Sequence, residues 1–123
     1  MFVDPLVVAP EDTLAELAEH MCKRDLGSAL VAEHGRLIGI VTSRDMLAAL
    51  AARMRSDEGR VRQWMTAEPI AVSAETTLET ARVLMTEHDI HHLPVVEGER
   101  PIGMVGLRAV AHSSASAGPD RTP

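Results

Sequence analysis

The sequence predicts an α/β (α+β) protein built from two β-α-β-β-α repeats packed about a pseudo-twofold axis, and three observations predict it. Shifted by 64 residues, the chain overlaps itself without a gap, laying Pro5 to Leu47 over Pro69 to Ala111. Each copy contains one segment with apolar residues at helical spacing and two β-rich runs joined by a turn. Neither copy has enough elements to bury its own apolar faces, so the two must pack together.

The overlap runs through every expected element. Identical pairs include Pro5/Pro69, Val8/Val72, Glu11/Glu75, Thr13/Thr77, Leu14/Leu78, Met21/Met85 and Asp25/Asp89. Downstream come Val31/Val95, Glu33/Glu97, Arg36/Arg100, Ile38/Ile102, Gly39/Gly103, Val41/Val105 and Arg44/Arg108. A duplicated unit pairs most simply about a twofold axis, which creates two related clefts, each lined by both copies.

Each unit opens with a short apolar run, Leu6-Val7-Val8 or Ile70-Ala71-Val72. A capping signal follows, Thr13 with Glu16 and Thr76 with Glu79, and marks a helix start. In the first unit Leu14, Leu17, Ala18, Met21 and Cys22 form one apolar face of a helix ending near Arg24; Leu78, Ala81 and Met85 repeat it more loosely. The runs Ser28 to Ala32 and Leu37 to Thr42, around Glu33-His34-Gly35-Arg36, predict a hairpin, as do Leu93 to Val96 and Pro101 to Gly106. Ser43 to Met54, rich in Ala and Leu, predicts a second helix capped by Thr42 or Ser43, and Arg55 to Arg60 a linker. The expected limits are residues 1–56 for the first repeat and 57–112 for the second, with 113–123 a disordered polar tail.

At 123 residues there is room for one compact domain, and 46% hydrophobic with 24% charged residues is the balance of a chain that folds. No run reaches the roughly 20 apolar residues of a membrane span, and Met1-Phe2-Val3-Asp4-Pro5 lacks a signal-peptide layout, so a cytoplasmic location is expected. The lone Cys22 excludes an internal disulfide and is expected to pack on its helix's apolar stripe. A net charge of −6 disfavours general nucleic-acid binding. Arg44, Arg53, Arg55, Arg60 and Arg62 are the one basic stretch, readable as a solvated helix face and linker or as a surface for an anionic partner.

The run Gly39-Ile40-Val41-Thr42-Ser43-Arg44-Asp45 resembles the signature that closes the hairpin of a cystathionine-β-synthase-type (CBS) domain. Val61-Arg62-Gln63-Trp64-Met65-Thr66 is similar to that family's lead-in, and Asp89-Ile90-His91-His92-Leu93-Pro94-Val95-Val96 to its central strand. The resemblance covers about residues 5 to 112. It implies a tandem CBS pair, a regulatory module of a kind that often binds AMP, ADP, ATP or S-adenosylmethionine between its copies and often stacks as dimeric discs. A homodimer acting on an unknown effector protein is therefore expected, with no required cofactor. The first copy departs from the pattern at its start, because Met65 lies over Met1 and nothing precedes it as a lead-in.

Spacing alone puts the Asp45 carboxylate and the Thr42 hydroxyl on one face of the first helical turn. A carboxylate accepts both vicinal hydroxyls of a ribose, while a hydroxyl beside a helix N-terminus favours phosphate. The same residues also read as an ordinary N-cap with an acid in the first turn. The resemblance favours the ribose role, with Gly39 and Ile40 on the strand that leads to it and Gly39 allowing a base to approach closely. At the matching positions the second copy has Gly106 and Ala109, so one competent and one degenerate cleft are expected. By the family pattern the opposite copy supplies Pro69, Ile70 and Ala71 beside the adenine, and His91, His92 and Arg108 towards the phosphates.

His88, His91 and His92 invite a metal reading, which the alternation of side chains along a strand and the missing fourth ligand oppose; no metal site is assigned. The chain has no Gly-rich phosphate loop, nucleophile elbow or His-Glu zinc pair, and no enzymatic activity is expected. The rival reading is a ligand-free dimerisation or protein-interaction module.

Overall fold

The computed structural model describes residues 2–106. Residues 107–123, with Arg108, Ala109, His112 and the expected tail, lie outside them. The order is β1 (Val7–Val8), α1 (Leu14–Arg24), β2 (Ser28–Glu33), β3 (Arg36–Thr42), α2 (Ser43–Ala51), α3 (Val61–Trp64), β4 (Thr66–Ala67), β5 (Val72–Ser73), α4 (Leu78–His88), β6 (His92–Glu97) and β7 (Arg100–Gly106). Helix α1 maps onto α4, β2 onto β6 and β3 onto β7 at the offset read from the sequence. Even the irregularities repeat: both hairpins shift register at the same point, between Val31 and Ala32 and between Val95 and Val96. Both helices end on a left-handed aspartate, Asp25 and Asp89, each at φ 54°. Aspartate tolerates that conformation and lets the chain turn directly into the next strand.

Each repeat forms its own sheet, with the short first strand parallel to the hairpin: β1-β2-β3 in one and β5-β6-β7 in the other. Leu14, Leu17 and Met21 of α1 close over Ala29, Val31 and Val41, and Ala81 and Met85 of α4 over Leu93, Val95 and Val105. A third apolar cluster joins the copies, with Leu30 and Ile40 from one sheet against Met104 from the other. Ile40 and Met104 are equivalent positions of the two repeats, so the pseudo-twofold axis runs by this contact.

The lead-in segments are exchanged, which the sequence does not reveal. Strand β4, just before the second repeat, pairs antiparallel with β3 of the first through Gly39↔Ala67 and Ile40↔Thr66. Reciprocally, Val3, ahead of the first repeat, bridges Met104 in β7, with both N–H···O distances 3.0 Å. Phe2 packs against the second repeat's core as Trp64 and Met65 do against the first. Val3 thus meets the second sheet as β4 meets the first.

Several local expectations need correction. The cap of α4 is Thr77, whose hydroxyl accepts from the Thr80 amide at 3.1 Å. Thr76 instead takes the Ser73 amide at 3.3 Å. Thr77 is the true counterpart of Thr13, but Thr80 stands where Glu16 completes the first capping box, so the box signal pointed one residue early. Cys22 is exposed rather than packed. It lies about 80° around α1 from Leu14, at the flank of the stripe. Helix α2 ends at Ala51, capped by Ala52, and Arg53 takes a left-handed φ of 62°.

The linker is docked. Carbonyls of Gly59 and Ser56 accept the first α1 amides, Leu14 and Ala15, at 3.0 and 2.9 Å. Arg62 spans Glu11 and Glu33 at 2.8 and 2.9 Å, and Arg55 pairs with Asp57. The basic stretch is therefore partly neutralised within the chain.

Candidate functional site

Thr42 is the last residue of β3 and the N-cap of α2, with extended backbone at φ −127° and ψ 172°. Asp45, three residues on, turns back over it: its Oδ2 accepts the Thr42 amide at 2.8 Å and the Thr42 hydroxyl at 3.3 Å. Both residues are half-buried. One carboxylate oxygen thus carries the local structure, while Oδ1 has no hydrogen bond to protein among the described residues. The two roles read from the sequence, cap and ligand contact, are compatible because they use different lone pairs.

The strand-to-helix junction is fixed from behind. The Ser43 amide and hydroxyl both donate to the Gly27 carbonyl, at 3.0 and 3.3 Å. Buried Ser28 stands opposite Thr42 in the hairpin register. Ser28 was not singled out from the sequence, although the repeat makes it the counterpart of His92. The same equivalence makes Pro5-Leu6-Val7 the counterpart of Pro69-Ile70-Ala71, and the Leu6 carbonyl accepts the Leu30 amide at 2.8 Å near that end of the hairpin.

Pro69, Ile70 and Ala71 form the crossing from β4 in the first sheet to β5 in the second. The Glu68 amide, just before them, donates to the Ile38 carbonyl at 3.1 Å, and Ile70 packs against the second core. Ala71 is exposed. Ile40 has its side chain in the cluster between repeats, so only its backbone can meet a ligand. At Gly39 the space for a side chain is filled: a Cβ would meet Met65 Sδ at 2.5 Å and the Thr66 carbonyl oxygen at 3.0 Å. The close approach that this glycine permits is made by the exchanged lead-in.

His92 sits opposite Gly106, the second copy's substitute for Thr42, and His91 beside it is exposed. Burial, aided by the neighbouring His91, holds the His92 imidazole below the usual histidine range, so it is neutral at pH 7. The structure gathers Thr42, Asp45 and Ser28 at one junction and holds Pro69–Ala71, His91 and His92 on the second repeat. No hydrogen bond joins the two groups among the described residues. Arg108 lies outside the described residues. Trp64 Nε1 is buried with no hydrogen-bond partner among the described residues.

No helix among the described residues is long and apolar enough to cross a membrane. The CBS domain family model matches residues 1–52 and 61–116. The CBS domain-containing protein YhcV of Bacillus subtilis is 33% identical over 104 residues, which are 85% of this chain and 74% of that protein. The CBS domain protein PAE2072 of Pyrobaculum aerophilum, solved in complex with AMP, superposes with a TM-score of 0.81 at 26% identity, over 89% of this chain and 85% of the other. CBSX2, also solved in complex with AMP, does so with a TM-score of 0.76 at 26% identity, over 92% of each chain. The duplicated β-α-β-β-α order, the Thr42–Asp45 junction and these matches lead to one conclusion: the chain belongs to the CBS domain family and consists of a pair of CBS domains.

Proposed function

We infer that this CBS pair is a regulatory module that binds an adenine nucleotide, of the AMP, ADP or ATP type, in the inter-repeat cleft at Thr42 and Asp45. The observation that carries the reading is the free Oδ1 of Asp45 beside the Thr42 hydroxyl at the start of α2. That oxygen accepts a ribose hydroxyl, and the α2 N-terminus draws phosphate. Gly39 and Ile40 offer backbone, Pro69, Ile70 and Ala71 an apolar edge for the base, and His91, His92 and Arg108 donors towards phosphate. The AMP complexes of PAE2072 and CBSX2 support the class of ligand; S-adenosylmethionine shares the adenosyl group and belongs in the same screen. The second cleft, with Gly106 and Ala109 at the motif positions, is degenerate in this reading. The role is regulatory rather than catalytic, exerted in the cytoplasm by a homodimer on a separate effector protein.

A melting screen tests this. Ligand at 100 times Kd adds about 2.7 kcal/mol, a rise of roughly ten degrees for a domain of this size. One observation favours the rival, a ligand-free dimerisation or interaction module: Asp45 already has a structural task as the box partner of Thr42. A flat screen across AMP, ADP, ATP and S-adenosylmethionine selects the rival.

A further inference from the structure

The two repeats are fastened to each other unequally along the outer edges of β3 and β7. The edge of β3 is covered from Leu37 to Ile40 by groups from the second repeat and its lead-in. The Leu37 amide donates to the Glu99 carbonyl at 2.8 Å, the Glu68 amide donates to the Ile38 carbonyl at 3.1 Å, and β4 pairs with Gly39 and Ile40. The Arg36 guanidinium adds an ion pair with the Glu99 carboxylate at 3.0 Å. Leu37 also packs on the apolar cluster between the repeats, so this clasp closes the seam at the hairpin tips.

The edge of β7 has less. Among the described residues its backbone is held by the two bonds between Val3 and Met104, both 3.0 Å. The residue types themselves delete the missing mates. At the repeat offset Leu37 becomes Pro101, which has no N–H, and Glu99 becomes Gly35, which has no side chain for Arg100 to meet. Arg100 turns instead to Glu97 of its own hairpin. Glu68 lies two residues beyond Thr66, the partner of Ile40; two residues beyond Val3, the partner of Met104, stands Pro5, again without a donor. The turns differ as well. His34 and Gly35 both take a left-handed φ, 55° and 78°, whereas in the second turn only Gly98 does, at 65°, which breaks the twofold relation at the tips.

We propose that the pair opens from one side: the lead-in Phe2–Val3 is a strap that releases from β7 first, while the clasp of Glu99 on Arg36 and Leu37 stays closed as the hinge. An exposed ion pair contributes little by itself, so the backbone bonds carry the clasp and Arg36 keeps the Glu99 turn seated on them. Gly39 and Ile40, offered above to the base, lie on the edge that stays fixed.

Amide hydrogen exchange in the full chain, followed residue by residue by NMR, tests the order of opening. In the wild type the Leu37 and Glu68 amides are protected at least about tenfold more than those of Val3 and Met104, the effect of the additional backbone bonds. Arg36→Glu sets two carboxylates against each other at an exposed turn. It speeds exchange at Leu37 by up to about fivefold and leaves Met104 unchanged, because Met104 exchanges while the clasp is closed. Adding Glu99→Arg to Arg36→Glu restores opposite charges and returns Leu37 to its wild-type protection. Equal protection at Leu37 and Met104, or weaker protection at Leu37, means that the seam opens as one unit or from the other side and overturns the proposal. An Arg36→Glu variant that leaves Leu37 unchanged or speeds both amides alike overturns it too, as does a swapped variant that stays fast.

Discussion

Phe2 lies where a Gly103 side chain would stand: a Cβ there would come within 1.9 Å of the Phe2 ring. Gly39 makes the same accommodation for Met65. The two glycines are equivalent positions of the repeats, and each lets the lead-in of the other copy cross the hairpin closely. This exchange fastens the repeats together.

Gly103→Ala forces Phe2 from its seat, and Phe2→Ala empties it; each is expected to cost about 2 kcal/mol, below the full range for buried aromatics because Phe2 is half-buried. The two act on one contact. Urea unfolding of the single and double variants shows the double well short of the sum; strict additivity contradicts the packing.

His92 gives the fold a pH dependence. Burial lowers its folded value, so below the ordinary value of 6.5 the unfolded chain takes up a proton that the folded chain resists. Stability attributable to His92 is therefore present above about pH 6.5 and is lost as pH falls from there towards the folded value. Urea midpoints between pH 8 and pH 5.5 are expected to fall less steeply in His92→Gln than in the wild type.

The cap of α4 is tested by a pair of substitutions. Thr77→Ala removes the acceptor of the Thr80 amide and is expected to cost about 1 kcal/mol. Thr76→Ala touches only the longer contacts with the Ser73 amide and hydroxyl, at 3.3 and 3.5 Å, and costs less in thermal unfolding.

Trp64→Phe removes a buried donor that has no partner and keeps most of the apolar surface. The expected change in stability is under about 1 kcal/mol, against the 3 kcal/mol or more usual for truncating a large aromatic. A larger loss means that the indole N–H is paired.

The repeat was legible because it is written in identities spread over all elements, and Asp25 and Asp89 carry even the helix ends. The junction was legible too, since Thr42 and Asp45 are three residues apart and meet by local geometry alone. What the sequence hid is long-range. Nothing in Phe2-Val3 or Thr66-Ala67 says that each pairs with the other repeat, because such short strands have no periodicity. Arg62 looked like part of a basic run, yet it is claimed by Glu11 and Glu33, partners 51 and 29 residues away. Cys22 was misplaced because a helical face has edges that spacing does not define.

The most direct test of the nucleotide reading is calorimetric titration of the full chain with AMP, beside an Asp45→Asn variant. Asparagine retains an acceptor for the Thr42 amide but loses the charge. One molecule of AMP per chain is expected to bind the wild type, and at least tenfold more weakly the variant, the loss of a charge-assisted hydrogen bond. Equal affinity in the two proteins, or no heat from the wild type with any adenosyl ligand, contradicts it.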